Sequence, residues 1–260
     1  MREFLLKLFQ SAGGPEIECF SLWHFMYIFL IVGLTIGLAF LLRNKSEKTK
    51  KLVVSIIAIS AISVYMADFF LMPLARKSGD IDLDKLPFHI CTFISIMIPF
   101  AQFNSKVTKQ SSFKEVVVTL AIVASLMYIT YPGSALGGIG TFSYKVVQTF
   151  VFHGLVFSWG VLSLTTGSAQ LNFKNIWKQA VGIAIIIVWA WFGNIVYSSE
   201  ARSFDWFFVT GSLLPLHPAL MTLVVLVAVF AMCAIIYSID LAVKAVFKKI
   251  NAKKENTVNE

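Results

Sequence analysis

Seven long apolar stretches constrain this chain more than any other feature: residues 20–42, 52–75, 87–103, 115–131, 145–166, 179–198 and 216–243. A helix needs about 20 mostly apolar residues to cross a bilayer, within a range of about 17–25. The third and fourth stretches are at the short end, and the seventh is long. Charge or turn residues bound each one, from Arg43 to Lys51, Asn104 to Lys114 and Gly167 to Lys178, for example. Composition agrees, with 57% hydrophobic and only 14% charged residues, against about 25% charged in an ordinary soluble domain. A soluble enzyme, a disordered tail and a secreted disulfide scaffold are excluded. The expectation is an all-α polytopic membrane protein, a bundle of seven transmembrane helices with short loops. The domain would span 20–243, after an N-terminal interfacial segment (1–19) and before a basic, frayed tail (244–260). Arg2 to Gln10 reads as a short amphipathic helix, and no cleavable leader is expected.

The net charge of +8 suggests nucleic acid at first sight. Lys and Arg gather in cytoplasmic loops of membrane proteins, which explains the excess without any nucleic acid. With seven spans, one side carries 15 of the Lys and Arg residues and the other 7. The N-terminus is therefore expected outside and the C-terminus in the cytoplasm, with the protein integral to a plasma membrane.

That topology turns scattered polar residues into a map. His24, Asp68, His89, Cys91, Gln148, His153, Asn194, Tyr197 and His217 all fall in the outer half, while the inner half looks sparse. Ionisable groups inside a membrane are costly and face an interior or a wet cavity. Ordinary interhelical hydrogen bonds explain any one of them equally well. His24 follows Trp23, as in an interface belt, and His217 lies between Pro215 and Pro218; both have structural readings.

Cys91 is the sharpest chemical candidate. It follows Leu86-Pro87-Phe88-His89-Ile90, where Pro87 suits a first helical turn. A cysteine near a helix N-terminus can become a nucleophile, although a cysteine in an apolar run is more often inert core. His89, two residues away, points to another face. His153, at compatible depth, fits the base better, which requires the third and fifth helices to be neighbours around a pocket open to the outer leaflet. A zinc site from His24, Asp68, His89, His153 and His217 is the rival, but no two histidines have ligand spacing on one helix. No metal and no other cofactor is expected.

These residues resemble a family. Leu86-Pro87-Phe88-His89-Ile90-Cys91 is similar to the LPLHxC signature of the YwaF-like bacterial integral membrane proteins, themselves distantly similar to the transmembrane-protein-164 acyltransferases. Tyr131-Pro132-Gly133 with Phe150-Val151-Phe152-His153-Gly154 resembles the family's TP…FFxxHG region. Gly193-Asn194-Ile195-Val196-Tyr197 resembles GxNYxYL, and Phe20-Ser21-Leu22-Trp23-His24 resembles FxxxH. The family's GPWPxY is replaced by Gly211-Ser212-Leu213-Leu214-Pro215-Leu216. The resemblance implies acyl transfer between membrane lipids, with Cys91 and His153 as the catalytic pair. His24, Asp68, His89, Gln148, Asn194, Tyr197 and His217 would support them or contact substrate. A lipid hydrolase, with or without zinc, and a small-molecule transporter are the alternatives; the oligomeric state is not readable.

Overall fold

A computed structural model describes residues 14–75, 83–132, 140–199, 203–209 and 216–258. The amphipathic segment at Arg2 to Gln10, the glycines at 133–138 and the Gly211–Leu214 stretch lie outside the described residues. Among those described there are seven α-helices: α1 (Leu22–Leu42), α2 (Glu47–Ala75), α3 (Ile90–Phe103), α4 (Ser112–Thr130), α5 (Tyr144–Thr165), α6 (Trp177–Tyr197) and α7 (Pro218–Val258). Six are long and apolar enough to cross a membrane.

The exception is α3, whose 14 residues rise only about 21 Å against a hydrocarbon core of about 30 Å. The expected bundle of seven helices is present among the described residues, with six of them long enough to span and the third, expected to be short, falling below that length. Pro87 does not start α3. Phe88 and His89 follow it outside the helix, and His89 is the N-cap with extended backbone. Helix α7 continues past its apolar stretch to Val258.

The pair α4 and α5 forms the centre. Gly160 brings them together: a Cβ there would lie 2.6 Å from Ile122 Cγ1 and 3.2 Å from the Val118 carbonyl oxygen. α2 and α3 pack on this pair from one side, and α6 and α7 approach α4 from the other. α1 is peripheral. Its buried residues His24, Ile31, Thr35 and Leu42 follow the alternating seven- and four-residue spacing of a narrow seam, which runs along α5. Ile31 fills the space over Gly154, and the Thr35 and Ser158 hydroxyls meet at 2.6 Å one turn further on. The rest of α1 is an exposed apolar surface, with Phe29, Leu34 and Phe40 more than half exposed, as lipid contact requires.

Polar contacts fix two ends of the bundle. At one end lie the starts of α1, α3 and α5 with the finish of α4, because His24 Nε2 reaches the Ile129 carbonyl at 2.7 Å. The N-terminal strand-like segment is tied there too: Thr141 donates its N–H and its hydroxyl to the Pro15 carbonyl. At the opposite end, buried Glu115 on α4 joins the 172–175 turn and α7. It accepts from the Asn172 N–H at 2.6 Å, Asn175 Nδ2 at 3.0 Å and the Tyr237 hydroxyl at 2.8 Å. Gln179 donates to the Tyr237 oxygen at 2.9 Å. The expectation of a sparse second half is therefore overturned. Glu115, Gln179 and Tyr237 sit at span boundaries or among apolar residues, where each alone reads as an interfacial group.

Candidate functional site

Cys91 is the second residue of α3 and lies on the buried stripe that continues through Ile94, Ile98 and Ala101. Its thiol donates to the Ala124 carbonyl of α4 at 3.5 Å. The His89 side chain does not cap α3, so the N–H groups of the first turn, at Ile90, Cys91 and Thr92, have no side-chain cap.

His153 is buried on α5. Its Nδ1 is 2.8 Å from the Thr149 carbonyl oxygen one turn back. A carbonyl only accepts, so Nδ1 carries the proton and the neutral ring has its lone pair on Nε2. The ring stacks on Tyr128 with centroids 3.9 Å apart and planes 3° from parallel, and Phe152 meets it edge-on. Tyr128 and Phe152 thus fix the tilt of the imidazole, and Thr149 its tautomer. Ala124 and Tyr128 are four residues apart on α4, so they share one face. Cys91 and His153 therefore contact successive turns of the same helix. α3 and α5 touch over a short stretch, while each packs more extensively on α4 between them.

The other expected residues are engaged in contacts of their own. Asp68 is paired with Lys85, Nζ to Oδ2 2.6 Å. One turn earlier on α2, the Tyr65 hydroxyl donates to the Lys85 carbonyl at 2.7 Å. Together they grip the turn that leads into α3. Asn194 holds the backbone of Trp206, accepting its N–H at 2.8 Å and donating to its carbonyl at 3.4 Å. Neither side chain orients His153; the Thr149 carbonyl does. His89 Nδ1 accepts the Phe207 N–H at 3.4 Å, tying the N-cap of α3 to the same 203–209 segment, where Phe207 and Phe208 have left-handed φ of 63° and 55°. Gln148 accepts from the Thr149 hydroxyl at 3.4 Å. Tyr197 is part-exposed, against Phe88 and Trp206.

His24 is a latch. Its Nδ1 accepts the Phe20 N–H at 2.8 Å and its Nε2 donates to Ile129, so both ring nitrogens are used. His217 is exposed and caps α7, accepting from the Ala219 N–H. Among the described residues no three His, Cys, Asp or Glu side chains assemble as a metal would need, so the five proposed zinc ligands do not converge. An apolar groove of about 400 Å³ lies between α3 and α6, lined by Phe93, Ile185, Val188, Trp189 and Phe192; neither Cys91 nor His153 lines it.

Sequence reasoning missed Tyr128, Thr149, Lys85 and Tyr65. Tyr128 lies two residues before the helix end and reads as a boundary aromatic. Thr149 acts through its backbone carbonyl, Lys85 reads as an ordinary loop lysine, and Tyr65 reads as one more aromatic of an apolar run, so residue type carries no signal for these roles. Among known families, the TMEM164 family matches residues 19–240 of the chain. No curated protein matches it, and no solved structure does.

Proposed function

The chain belongs to the TMEM164 family of membrane proteins, and from that premise we propose that it transfers acyl groups between membrane lipids, with Cys91 as nucleophile and His153 as base. The observation that carries this reading is the fixed His153 tautomer: Nδ1–H is committed to Thr149, the ring is clamped by Tyr128, and the basic nitrogen is Nε2. A base oriented by a third group is the arrangement that activates a nucleophile. The Cys91 thiol leaves the Ala124 carbonyl, and its proton passes to His153 Nε2. The thiolate attacks the ester carbonyl of a donor lipid, and first-turn N–H groups of α3 stabilise the oxyanion. The ester C–O bond breaks, the leaving alcohol takes the proton from His153, and the acyl group rests on Cys91 as a thioester. An acceptor hydroxyl then gives its proton to His153 and attacks the thioester, and the departing Cys91 thiolate takes that proton back from His153. Water in place of that hydroxyl gives a hydrolase. The YwaF-like bacterial branch and the plasma membrane belong to the same proposal.

The test is acyl exchange in proteoliposomes, using a phospholipid labelled in its acyl chain and an unlabelled lysophospholipid. Cys91→Ala and His153→Ala should each lower exchange by at least about 100-fold. A hydroxylamine-sensitive acyl adduct should appear on the wild-type peptide containing Cys91. Full exchange by a folded Cys91→Ala protein would end the thioester mechanism, and free fatty acid as the sole product would replace transfer with hydrolysis.

A further inference from the structure

The groove between α3 and α6 is filled by no described part of the chain. Its volume of about 400 Å³ falls within the range of about 300–1,000 Å³ for sites that hold small molecules. On α6 the lining residues Ile185, Val188, Trp189 and Phe192 recur at i, i+3, i+4 and i+7, so they form a single stripe. It is not the stripe that packs α6 into the bundle, which runs through Ile183, Ile186, Ile187 and Ala190. Ile185, Val188 and Phe192 are instead more than half exposed. Phe93 closes the groove from α3. It lies two residues beyond Cys91 and therefore on another face of that helix, which separates the groove from the Cys91–His153 pair.

The walls are held in place by contacts of their own. Trp189 Nε1 donates to the Pro87 carbonyl at 2.8 Å. The Trp189 ring stacks on Phe192 with centroids 5.6 Å apart, and Phe88 backs both rings at 5.0 and 6.4 Å. Ile185 and Val188 are β-branched, with one preferred rotamer in a helix. A wall ordered in advance lowers the cost of binding. Chemistry and depth then select the occupant. The indole nitrogen of Trp189 is the one polar side-chain atom of the lining, and it is spent on Pro87, so a polar solute or an ion finds no partner there. α6 is long and apolar enough to cross a membrane, so its middle turns face hydrocarbon, and an acyl chain is the apolar material at that depth. The Trp189–Pro87 bond and the contact of Phe88 with Gly193 put the Phe192 end of the groove beside the start of α3. From there the stripe runs about 10 Å to Ile185, toward the middle of the membrane, as a chain does below its headgroup.

We infer that the groove between α3 and α6 seats one acyl chain of a membrane phospholipid, whose headgroup lies at the end of the bundle that carries Cys91. The seat is distinct from Cys91 and His153, and its occupancy requires no turnover.

Photo-crosslinking of the full chain in proteoliposomes tests this, using phosphatidylcholine with a diazirine in one acyl chain, either near the ester or at mid-chain. Peptides containing Phe93 and residues 185–192 should take up about fivefold more label than the exposed face of α1 around Phe29 and Leu34, which reports ordinary surrounding lipid. The probe near the ester should mark Phe192, and the mid-chain probe Ile185. Val188→Trp puts an indole into the groove and should bring labelling down to the α1 level, while Val188→Leu should leave it within about twofold of wild type. Val188 is exposed, so both variants should melt in detergent as wild type does. Equal labelling of the groove and α1 in wild type would overturn the seat, as would undiminished labelling of a folded Val188→Trp protein. Labelling below the α1 level would overturn the acyl chain as occupant, in favour of another segment of this chain or a second copy. The two probes marking α6 in the reverse order would overturn the placement of the headgroup.

Discussion

At the residue scale, the fate of each polar group was decided by partners that sequence does not display. His24 and His153 look alike in the chain, one histidine in each of two apolar helices. One uses both ring nitrogens on backbone from two elements, and the other uses Nδ1 within its own helix. Cys91 and His153 were legible as candidates from depth and residue type. Tyr128, which stacks on His153 one turn along α4 from the Cys91 contact at Ala124, was not, because stacking depends on how α4 turns its face. That stacking is testable: Tyr128→Phe retains the ring and should keep most exchange activity, while Tyr128→Leu should reduce it by about tenfold or more through a loosened imidazole. Glu115 gives a stability prediction. Glu115→Ala leaves Tyr237 and Asn175 unsatisfied and should cost about 2–4 kcal/mol, read as a lowered melting temperature in detergent.

At the element scale, six helices matched the apolar runs closely because lipid leaves a span few options but to satisfy its own backbone. α3 deviated because Pro87 and the two residues after it contact α6 and the 203–209 segment rather than continue the helix: Pro87 gives its carbonyl to Trp189 Nε1 at 2.8 Å, Phe88 packs against Gly193, and His89 meets Phe207. Helix contacts set by small residues were also invisible in the sequence, where Gly33, Gly37 and Gly160 look equivalent. A Cβ at Gly160 meets Ile122 and the Val118 backbone, but one at Gly33 or Gly37 meets nothing within 4 Å. Gly160→Ala should therefore lower stability by about 1–3 kcal/mol. Gly33→Ala and Gly37→Ala should be neutral or slightly stabilising, a contrast that thermal unfolding in detergent measures directly.

At the scale of the whole molecule, the two ends differ in kind. One gathers Cys91, His153 and the Asp68–Lys85 pair; the other gathers Glu115 with its donors. The sequence map picked out Cys91, His153 and Asp68 and misread the second end, because Gln179, Tyr237 and Glu115 come from separate helices and only the packed bundle joins them. The charge asymmetry along the chain predicts that residues 43–51 and the tail, which hold 10 of the 22 Lys and Arg residues, face the cytoplasm. Single cysteines introduced at Ser46 and Ala252 in a cysteine-free background should resist a membrane-impermeant maleimide in intact cells and react after permeabilisation.

The bond from Cys91 to Ala124 makes the resting protein a closed vessel for its own sulfur. Cys19 is partly exposed, whereas Cys91 is buried. A permeant alkylating agent must wait for α3 to breathe away from α4 before it meets Cys91. Its modification should thus saturate as reagent concentration rises, with the plateau giving the opening rate of the helix pair, while Cys19 reacts in simple proportion. A sulfur that serves as a clock in this way also sets a ceiling: no turnover through Cys91 can run faster than the motion that uncovers it.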